Sequence, residues 1–191
     1  MYCSILTMFE MIAKIFRVCG ESLYSMMCRV RFGVAAIPWT VRVATNVRLQ
    51  ITDGGVLSVG AGSFVDSGVR LTVKRGKLSI GLRSHIGTGA IIVARNSIEI
   101  GNDVLMGEYV TIRDQDHRID PGVRFSMSGF AESPIVIGNN VWLGSKVTVL
   151  RGVKIGSNVV VGANSVVTHD LPDNCVAVGA PARVVRHLDA G

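Results

Sequence analysis

The sequence is poor in the residues that build metal sites and disulfide frameworks. It has four cysteines and four histidines in 191 residues, without a CxxC pair or a Cys/His cluster. Cys3, Cys19 and Cys28 lie near the start of the chain, and Cys175 lies near its end. This distribution argues against a zinc site and against a disulfide scaffold. A reducing cytoplasm is therefore the simplest compartment, and no metal is expected.

Aromatic residues are also scarce, at 6% of the sequence, although 48% of the residues are hydrophobic. An interior built from this composition must be aliphatic. The 22 glycines are many for this length and predict numerous tight corners in the chain. The length fits one domain, or one domain with an appendage.

The basic residues form no Lys/Arg block with interleaved aromatics, the pattern that is typical of nucleic-acid binding. The formal net charge is nevertheless +6. A solvated basic surface, or the binding of a phosphorylated small molecule, explains this charge better than a nucleic-acid partner does.

The first thirty residues lack an uninterrupted run of transmembrane length, and they lack the basic start and cleavage site of a signal peptide. Their apolar residues recur at spacings of three and four, which predicts an amphipathic helix. This helix packs on the protein or on another subunit, or it lies at a membrane surface. Basic residues that would help at a membrane are Lys14, Arg17, Arg29 and Arg31.

From residue 137 onward the sequence repeats with a period of six. Glycine directly follows four of the aliphatic residues that return at this period, which are Ile137, Leu143, Val149, Ile155, Val161 and Val167. Simple strand alternation would neither place glycine in this way nor hold one register for so long. The period predicts short strands joined by tight corners and stacked into an all-β solenoid. We therefore divide the chain into a helical segment with a linker, 1–38, and a solenoid domain, 39–191.

The same period runs upstream in shorter stretches, and it sets a register for the coils. We expect successive coils to begin at Ile80, Ile100, Ile137 and Ile155. The residues five positions later then form one vertical row, which contains His85, Leu105, Trp142 and Val160.

The stretch RDQDHRID, residues 113–120, interrupts the repeat with five charged side chains and a histidine. Turning it inward would bury unpaired charge at a cost of several kcal/mol per ion. We therefore expect a loop, 113–134, that leaves the coil just after Ile112 and ends near Pro134. Because function in a rigid scaffold sits on such interruptions, this loop is the predicted active-site loop.

The motifs VWLGS, VGANSVVT and VGAPARVVR, together with the repeat, resemble those of the hexapeptide-repeat acyltransferases. The likeness covers roughly residues 40–190 and is strongest to galactoside, maltose and surface-polysaccharide O-acetyltransferases. It implies a left-handed parallel β-helix of triangular cross-section. It also implies transfer of an acetyl group from acetyl-CoA to a carbohydrate hydroxyl, as in cell-surface polysaccharide biosynthesis.

By this resemblance, His117 stands at the family's catalytic spacing, and HRID resembles the HPID of the sugar acetyltransferases. A neutral imidazole can take the proton of a sugar hydroxyl near pH 7 and then protonate the departing thiolate. Asp114, Asp116 and Asp103 are the candidates to orient it. No cysteine or serine lies in a nucleophile motif, so direct transfer is favoured over an acyl-enzyme.

The resemblance also assigns coenzyme-binding positions, which are Trp142, Gly144, Ser145, Ala163, Thr168, His169, Arg183 and Arg186 in the second half of the chain. Backbone N–H groups stabilise the oxyanion in this family, and Gly144 and Ser145 are the donors expected here. The two arginines suit phosphate groups because a guanidinium is planar and always charged. His169 stands where lysine is common in the family.

The sequence departs from the family at the acceptor site, where the family's asparagine and aspartate align with Gly89 and Ala94. This departure favours surface polysaccharides or their lipid-linked precursors over galactosides or maltose as acceptors. Because His117 and Trp142 fall at different corners of one prism, we expect a homotrimer whose active sites are shared between subunits. The expected location is cytoplasmic, at the inner face of the membrane if the N-terminal helix binds lipid.

Three other functions stay open for such a coil. A noncatalytic scaffold or binding module would keep the coil without the chemistry. A serine O-acetyltransferase would have a large helical N-terminal domain that this sequence lacks. A γ-carbonic anhydrase-like metalloenzyme would need three convergent histidines for zinc, and only His85 and His117 lie in the central coils.

Overall fold

The computed structural model describes residues 37–188, and in this range the chain winds as a parallel β-solenoid with three faces. This finding confirms the all-β solenoid that the six-residue repeat predicts. The predicted N-terminal amphipathic helix and most of its linker lie outside the described residues.

Most strands are short, as a six-residue repeat requires. In chain order they are β1 Arg42–Val43, β2 Arg48–Thr52, β3 Val56–Val59, β4 Phe64–Val65, β5 Arg70–Lys74, β6 Lys77–Ile80, β7 His85–Ile86, β8 Ile91–Ala94, β9 Ser97–Ile100, β10 Leu105–Met106, β11 Thr111–Arg113, β12 Gln115–His117, β13 Phe130–Glu132, β14 Ile135–Ile137, β15 Trp142–Leu143, β16 Thr148–Val149, β17 Lys154–Ile155, β18 Val159–Val161, β19 Val166–Val167, β20 Cys175–Gly179 and β21 Ala182–His187.

The chain visits three parallel sheets in turn. The first sheet contains β1, β4, β7, β10, β15, β18 and β20, and β21 is added antiparallel to β20 at its edge. The second sheet contains β2, β5, β8, β11, β16 and β19, and the third contains β3, β6, β9, β14 and β17. The remaining pair, β12 and β13, forms a two-stranded antiparallel sheet between β11 and β14 in the chain.

Aliphatic side chains fill the interior in vertical columns. Ile80, Ile100, Ile137 and Ile155 pair in register in the third sheet, and all four are buried. The predicted register of the coils is therefore confirmed. Each fully buried side chain of this kind contributes about 1.5–3 kcal/mol relative to an exposed position.

Glycine follows the aliphatic residue of the repeat because neighbouring coils approach closely there. A Cβ atom on Gly138 would lie 2.7 Å from the carbonyl carbon of Gly156 in the next coil. A Cβ atom on Gly144 would lie 2.6 Å from the backbone nitrogen of Ala163. These positions lack room for any side chain in a close-packed stack.

A residue in the left-handed conformation turns the chain at the corner between the third and first sheets. Asn140, Asn158 and Asn174 have φ angles of 53°, 56° and 55°, a region that asparagine adopts more readily than most residues. The Asn140 Nδ2 donates to Asn158 Oδ1 at 2.9 Å, and the Asn158 Nδ2 donates to Asn174 Oδ1 at 3.0 Å. The polar positions of the repeat thus form a ladder along this corner.

The predicted interruption leaves the solenoid at the corner between the second and third sheets. This segment, residues 113–134, which we call the excursion, is more ordered than a loop because β12 and β13 pair antiparallel across its base. Gln115 lies opposite Glu132, and His117 lies opposite Phe130. The excursion therefore presents His117 from a strand pair and not from an irregular segment.

The start of the excursion differs from the expectation that the charged segment leaves the coil directly after Ile112. Asp114 is fully buried. Its carboxylate accepts hydrogen bonds from the backbone N–H groups of Arg95 at 2.9 Å and Asn96 at 2.8 Å. Burial raises the pKa of Asp114, although these two donors act in the opposite direction. A buried carboxylate is tolerated here because its oxygens are hydrogen-bonded.

Candidate active site

His117 is an exposed imidazole at the end of β12. Its ring packs against the ring of Phe130, the residue opposite it on β13, with the two ring centroids 4.5 Å apart. An exposed imidazole held by a neighbouring ring on a paired strand has the accessibility that a general base needs.

The base of the excursion is tied to the next coil of the solenoid. The Arg151 Nε donates to Asp116 Oδ2 at 3.0 Å. The backbone N–H of Gly152 donates to the Ser133 carbonyl at 3.2 Å, and the Ser133 N–H donates to the Asp114 carbonyl at 2.9 Å. The excursion is therefore anchored at the coil before it, through Asp114, and at the coil after it, through Arg151.

The three carboxylates that were candidates to orient His117 each have another partner. Asp114 accepts from backbone N–H groups, and Asp116 pairs with Arg151. Asp103 accepts two hydrogen bonds from the Arg83 guanidinium, at 2.7 and 2.6 Å, which lower the pKa of Asp103. Within one chain, none of the three therefore holds the imidazole.

A groove of about 490 Å³ runs along the first sheet and its corner with the second sheet, whereas the excursion leaves the solenoid at the corner between the second and third sheets. His85, Leu105, Trp142 and Val160 line it and pair in register from coil to coil. The predicted vertical row is thus confirmed, although its members lie within strands of the first sheet and not at a corner. Four predicted coenzyme-binding residues line the same groove, namely Trp142, Gly144, Ser145 and Ala163.

One half of the groove is polar. The Thr88 hydroxyl donates to Asp66 Oδ2 at 2.9 Å. The Ser145 hydroxyl donates to the Glu108 carboxylate, and this bond lowers the pKa of Glu108. The Nε2 atom of His85 lies 3.9 Å from Asp66 Oδ2 and has no hydrogen-bond partner in the described part of the chain. This half of the groove therefore offers carboxylates and hydroxyls to a ligand, whereas the Nε2 atom of His85 is buried beneath them.

Asp66 and Glu108 were missed by sequence reasoning, although the repeat carries the signal for one of them. Thr88, Glu108, Ser145 and Ala163 all directly follow the glycine of HIG, LMG, WLG and VVG. They therefore stack at the corner between the first and second sheets. Writing the coils one above another would have brought Glu108 beside the predicted Ser145.

Gly144 does not provide a free N–H group for an oxyanion. Its N–H donates to the Val161 carbonyl of the next coil at 2.8 Å. The expectation that Gly144 is an oxyanion donor is therefore wrong for this chain, since the group already serves the stacking of the coils. The N–H of Ser145 makes no hydrogen bond within residues 37–188.

The other predicted coenzyme-binding residues lie outside the groove. Thr168 and His169 follow β19 at the corner between the second and third sheets, and the Thr168 Oγ1 lies 2.8 Å from the His169 Nδ1. The coil before them is linked to theirs by the Leu150 N–H, which donates to the Val167 carbonyl. Because Leu150 precedes Arg151, these two residues lie on the side of the solenoid that carries the excursion.

Arg183 and Arg186 lie on β21, the antiparallel edge strand of the first sheet. Arg183 pairs with Val178 and Arg186 with Val176 on β20. The predicted coenzyme-binding residues thus fall in three places on one chain, and none of these places contains His117.

Residues 37–188 contain neither a metal-binding cluster nor a membrane-spanning helix. No group of three His, Cys, Asp or Glu side chains in this range could hold a metal ion. Nothing helical in the same range has the length and apolar character needed to cross a bilayer.

Comparisons with known proteins agree with this architecture. A family profile described as "Bacterial transferase hexapeptide (six repeats)" matches residues 134–169. The chain is 36% identical over 132 residues to the galactoside O-acetyltransferase of Escherichia coli, covering 69% of this chain and 64% of that protein. It is also 36% identical over 140 residues to the putative lipopolysaccharide biosynthesis O-acetyl transferase WbbJ of Escherichia coli, covering 68% of this chain and 71% of that one.

Among solved structures, the N-acyltransferase AntD of Bacillus cereus is similar with a TM-score of 0.73 and 22% identity, covering 86% of this chain and 88% of that one. This likeness concerns the fold. The chain spans only 43%, 64% and 55% of the length of three curated acetyltransferases that it matches. The match to WbbJ nevertheless extends over most of both proteins, and together with the six-residue repeat it shows that the chain belongs to the hexapeptide-repeat acyltransferase family.

Proposed function

We propose that this protein transfers an acetyl group from acetyl-CoA to a hydroxyl of a carbohydrate acceptor, with His117 as the general base. The observation that carries the proposal is the exposed imidazole on the excursion of a rigid solenoid. The relatives support the reaction type, since they are named galactoside O-acetyltransferase and putative lipopolysaccharide biosynthesis O-acetyl transferase. The solved AntD complex contains 3-hydroxybutyryl-CoA, which supports a coenzyme A thioester as the acyl donor here.

In the proposed reaction, His117 accepts the proton of the acceptor hydroxyl as its oxygen attacks the thioester carbonyl carbon. A carbon–oxygen bond forms and the carbon–sulfur bond breaks. The imidazolium then gives its proton to the leaving thiolate, so that the base is regenerated and no external proton is consumed. The free N–H of Ser145 remains a candidate donor to the oxyanion.

The proposed active site lies between copies of the chain. The groove with Trp142 and Ser145 runs along the first sheet and its corner with the second sheet, whereas His117 stands on the excursion at the corner between the second and third sheets. Rigid prisms that pack around a threefold axis would bring the excursion of one copy to the groove of its neighbour. Thr168 and His169, on the same side as the excursion, would then reach the same coenzyme as Ala163 of the neighbouring groove. A homotrimer is therefore part of the proposal.

The acceptor half of the proposed site differs from the family pattern in the side chains that line it. The Tyr109 ring covers Gly89, so that a Cβ atom on Gly89 would lie 2.6 Å from Tyr109 Cε1. The space in which the family carries its asparagine is therefore filled. Asp66 and Glu108 replace it as hydrogen-bonding groups in the groove. Two carboxylates favour a neutral polyol or an amino sugar over an acidic sugar, because like charges repel at short range. A surface polysaccharide or its lipid-linked precursor fits this proposal.

The test is acetyl-CoA consumption by the purified protein with a panel of neutral, amino and acidic sugars. His117→Ala should lower the turnover number by about a hundredfold or more while the solenoid stays folded. His187→Ala, a change of another exposed histidine on β21, should keep activity and serves as the control. Full activity of His117→Ala would remove the assignment.

A cytoplasmic location, with residues 1–36 contacting the inner face of the membrane, is also proposed on sequence grounds alone. The full chain should co-sediment with vesicles containing anionic lipid, and a chain starting at residue 37 should not. Equal sedimentation of the two chains would contradict membrane binding and would favour a predicted helix that packs on the protein or on another subunit.

A further inference from the structure

The imidazole of His117, the ring of Phe130 and the guanidinium of Arg95 are in contact in this order, with the two rings tilted by 35° to each other, and we call these three groups the stack. Phe130 lies against His117, with ring centroids 4.5 Å apart, and the guanidinium carbon of Arg95 lies 3.9 Å from the centroid of the same Phe130 ring. His117 and Phe130 are directly opposite each other on β12 and β13. Cross-strand ring pairs and cation–π contacts are both favourable in this geometry.

Arg95 is more buried than the two rings and is hydrogen-bonded to the excursion. Its side chain is only 16% exposed, and its Nε donates to Glu132 Oε1 at 3.1 Å. Its backbone N–H donates to the buried Asp114 carboxylate. Arg95 belongs to the coil before the excursion, whereas Glu132 and Asp114 belong to the excursion itself. The stack thus begins at a largely buried, hydrogen-bonded side chain of the scaffold and ends at the exposed imidazole.

Arg75 provides a natural comparison within the same cluster. Its NH2 donates to the same Glu132 Oε1 at 2.6 Å, but its side chain is 56% exposed, and the cation contact on Phe130 is made by Arg95. Arg75 therefore shares the ion pair without sharing the stack.

We propose that Arg95 and Phe130 are positioning residues for His117. The guanidinium holds the Phe130 ring, and this ring sets the plane of the imidazole in place of a carboxylate partner. No hydrogen bond engages either ring nitrogen of His117 in the described part of the chain. Stacking therefore fixes the ring while leaving both nitrogens open to substrate and solvent. The catalytic role of Arg95 and Phe130 rests on the proposed function, whereas their effect on the orientation of the His117 ring does not depend on it.

The structural part can be tested without any substrate. The chain has four histidines, so histidine-selective ¹³C labelling of the full protein gives few ring signals, and His117→Asn identifies that of His117. Stacking on Phe130 should displace this signal from that of free histidine. Phe130→Leu should return it towards the free value, Phe130→Tyr should keep it, and Arg95→Met should shift it. Arg75→Met, the matched control, should leave it in place.

The catalytic part is tested with the same variants in the acetyl-transfer assay. Phe130→Leu and Arg95→Met should lower kcat by about tenfold, since small displacements of a reacting group are costly, with KM for acetyl-CoA within about twofold of the wild type. Phe130→Tyr should retain most of kcat. Thermal unfolding of each variant shows whether the solenoid is intact, and Arg95→Lys replaces Arg95→Met if the latter does not fold.

The proposal is overturned if Phe130→Leu leaves both the His117 signal and kcat unchanged, or if Arg75→Met acts as strongly as Arg95→Met. A wild-type protein without transferase activity would remove the proposed function instead. The position of the His117 ring signal in the variants would still decide whether the stack holds the imidazole.

Discussion

The Ser145 hydroxyl donates a hydrogen bond to the carboxylate of Glu108, the residue at the same repeat position one coil earlier. The bond joins a predicted coenzyme-binding residue to an acidic group that lies towards the polar half of the groove. It also lowers the pKa of Glu108, and the carboxylate is ionised at neutral pH as any exposed glutamate is. Under the proposed function, Glu108 would lie between the acceptor and the coenzyme.

Changing Glu108 should affect the acceptor more than the coenzyme. In Glu108→Gln the negative charge is lost while the size is kept, and KM for a sugar acceptor should rise by about tenfold, the value of a hydrogen bond to a charged group. KM for acetyl-CoA should change by less than about threefold. Glu99→Gln, on the exposed face of the third sheet, is the control. Equal increases in both constants for Glu108→Gln would contradict its assignment to the acceptor half.

The stability contribution of Asp114 should depend on pH in a definite direction. Burial raises its pKa above the ordinary value of 3.8, so the folded chain binds the proton more readily than the unfolded chain. Stability from this group therefore increases as pH falls through the window between the folded pKa and 3.8.

This direction is measured by urea unfolding of the wild type and of Asp114→Asn at several pH values. Asp114→Asn should be destabilised by about 1–3 kcal/mol at neutral pH, because it weakens the acceptor of two backbone N–H groups. Its deficit relative to the wild type should grow as the pH falls. A deficit that shrinks would mean that the N–H donors of Arg95 and Asn96 outweigh burial and lower the pKa of Asp114.

The solenoid and its register could be predicted because they depend on side-chain pattern alone. Ile80, Ile100, Ile137 and Ile155 stack as the six-residue spacing requires, and so does the row with His85 and Trp142. A one-dimensional repeat leaves little freedom in three dimensions, since each coil contacts only its neighbours.

The surroundings of His117 could not be predicted in the same way. The sequence favoured a carboxylate partner because three aspartates lie near the histidine or in the preceding coil. In the structure these aspartates bind Arg83, Arg151 and backbone N–H groups instead. The imidazole contacts Phe130, which comes from the other end of the excursion. Pairing across an excursion depends on its strand register, which carries no periodic signal.

The glycine of the repeat should be intolerant of any side chain. In Gly138→Ala the new Cβ would lie 2.7 Å from backbone atoms of Gly156, so the coils must move apart, at a cost of about 1–3 kcal/mol. Gly54→Ala is the matched control, because its φ of +77° is unfavourable for alanine but nothing lies within 4 Å of the new atom. Gly54→Ala should cost about 1–2 kcal/mol, the typical effect of a left-handed backbone conformation on a residue with a Cβ atom, and Gly138→Ala should cost more. Similar melting temperatures for the two variants would show that the close approach of the coils at Gly138 does not exclude a side chain.

Arg183 and Arg186 should contribute to coenzyme binding through charge. Replacing both with alanine should raise KM for acetyl-CoA by about tenfold or more at low salt, because charge-assisted bonds to phosphate are strong. KM for the acceptor should change little. The wild type should lose coenzyme affinity as salt is added, whereas the double variant should respond less steeply, since its phosphate contacts are gone. An unchanged coenzyme affinity in the double variant would contradict this role and would mean that both arginines are simply solvated residues of the edge strand β21.

Complementation between two inactive variants tests whether the site is shared between subunits. His117→Ala removes the base from the excursion but leaves the groove intact, whereas Trp142→Ala with Ser145→Ala damages the groove but leaves the base. Each variant should be inactive when refolded alone. When the two are unfolded and refolded together in equal amounts, about a quarter of the interfaces of a closed trimer should combine an intact excursion with an intact groove. Activity should therefore return to about a quarter of the wild-type value per site, and mixing without unfolding should restore none. If trimers shown by mass spectrometry to contain both chains stay inactive, His117 and the groove do not meet across a subunit interface, and the shared site is wrong.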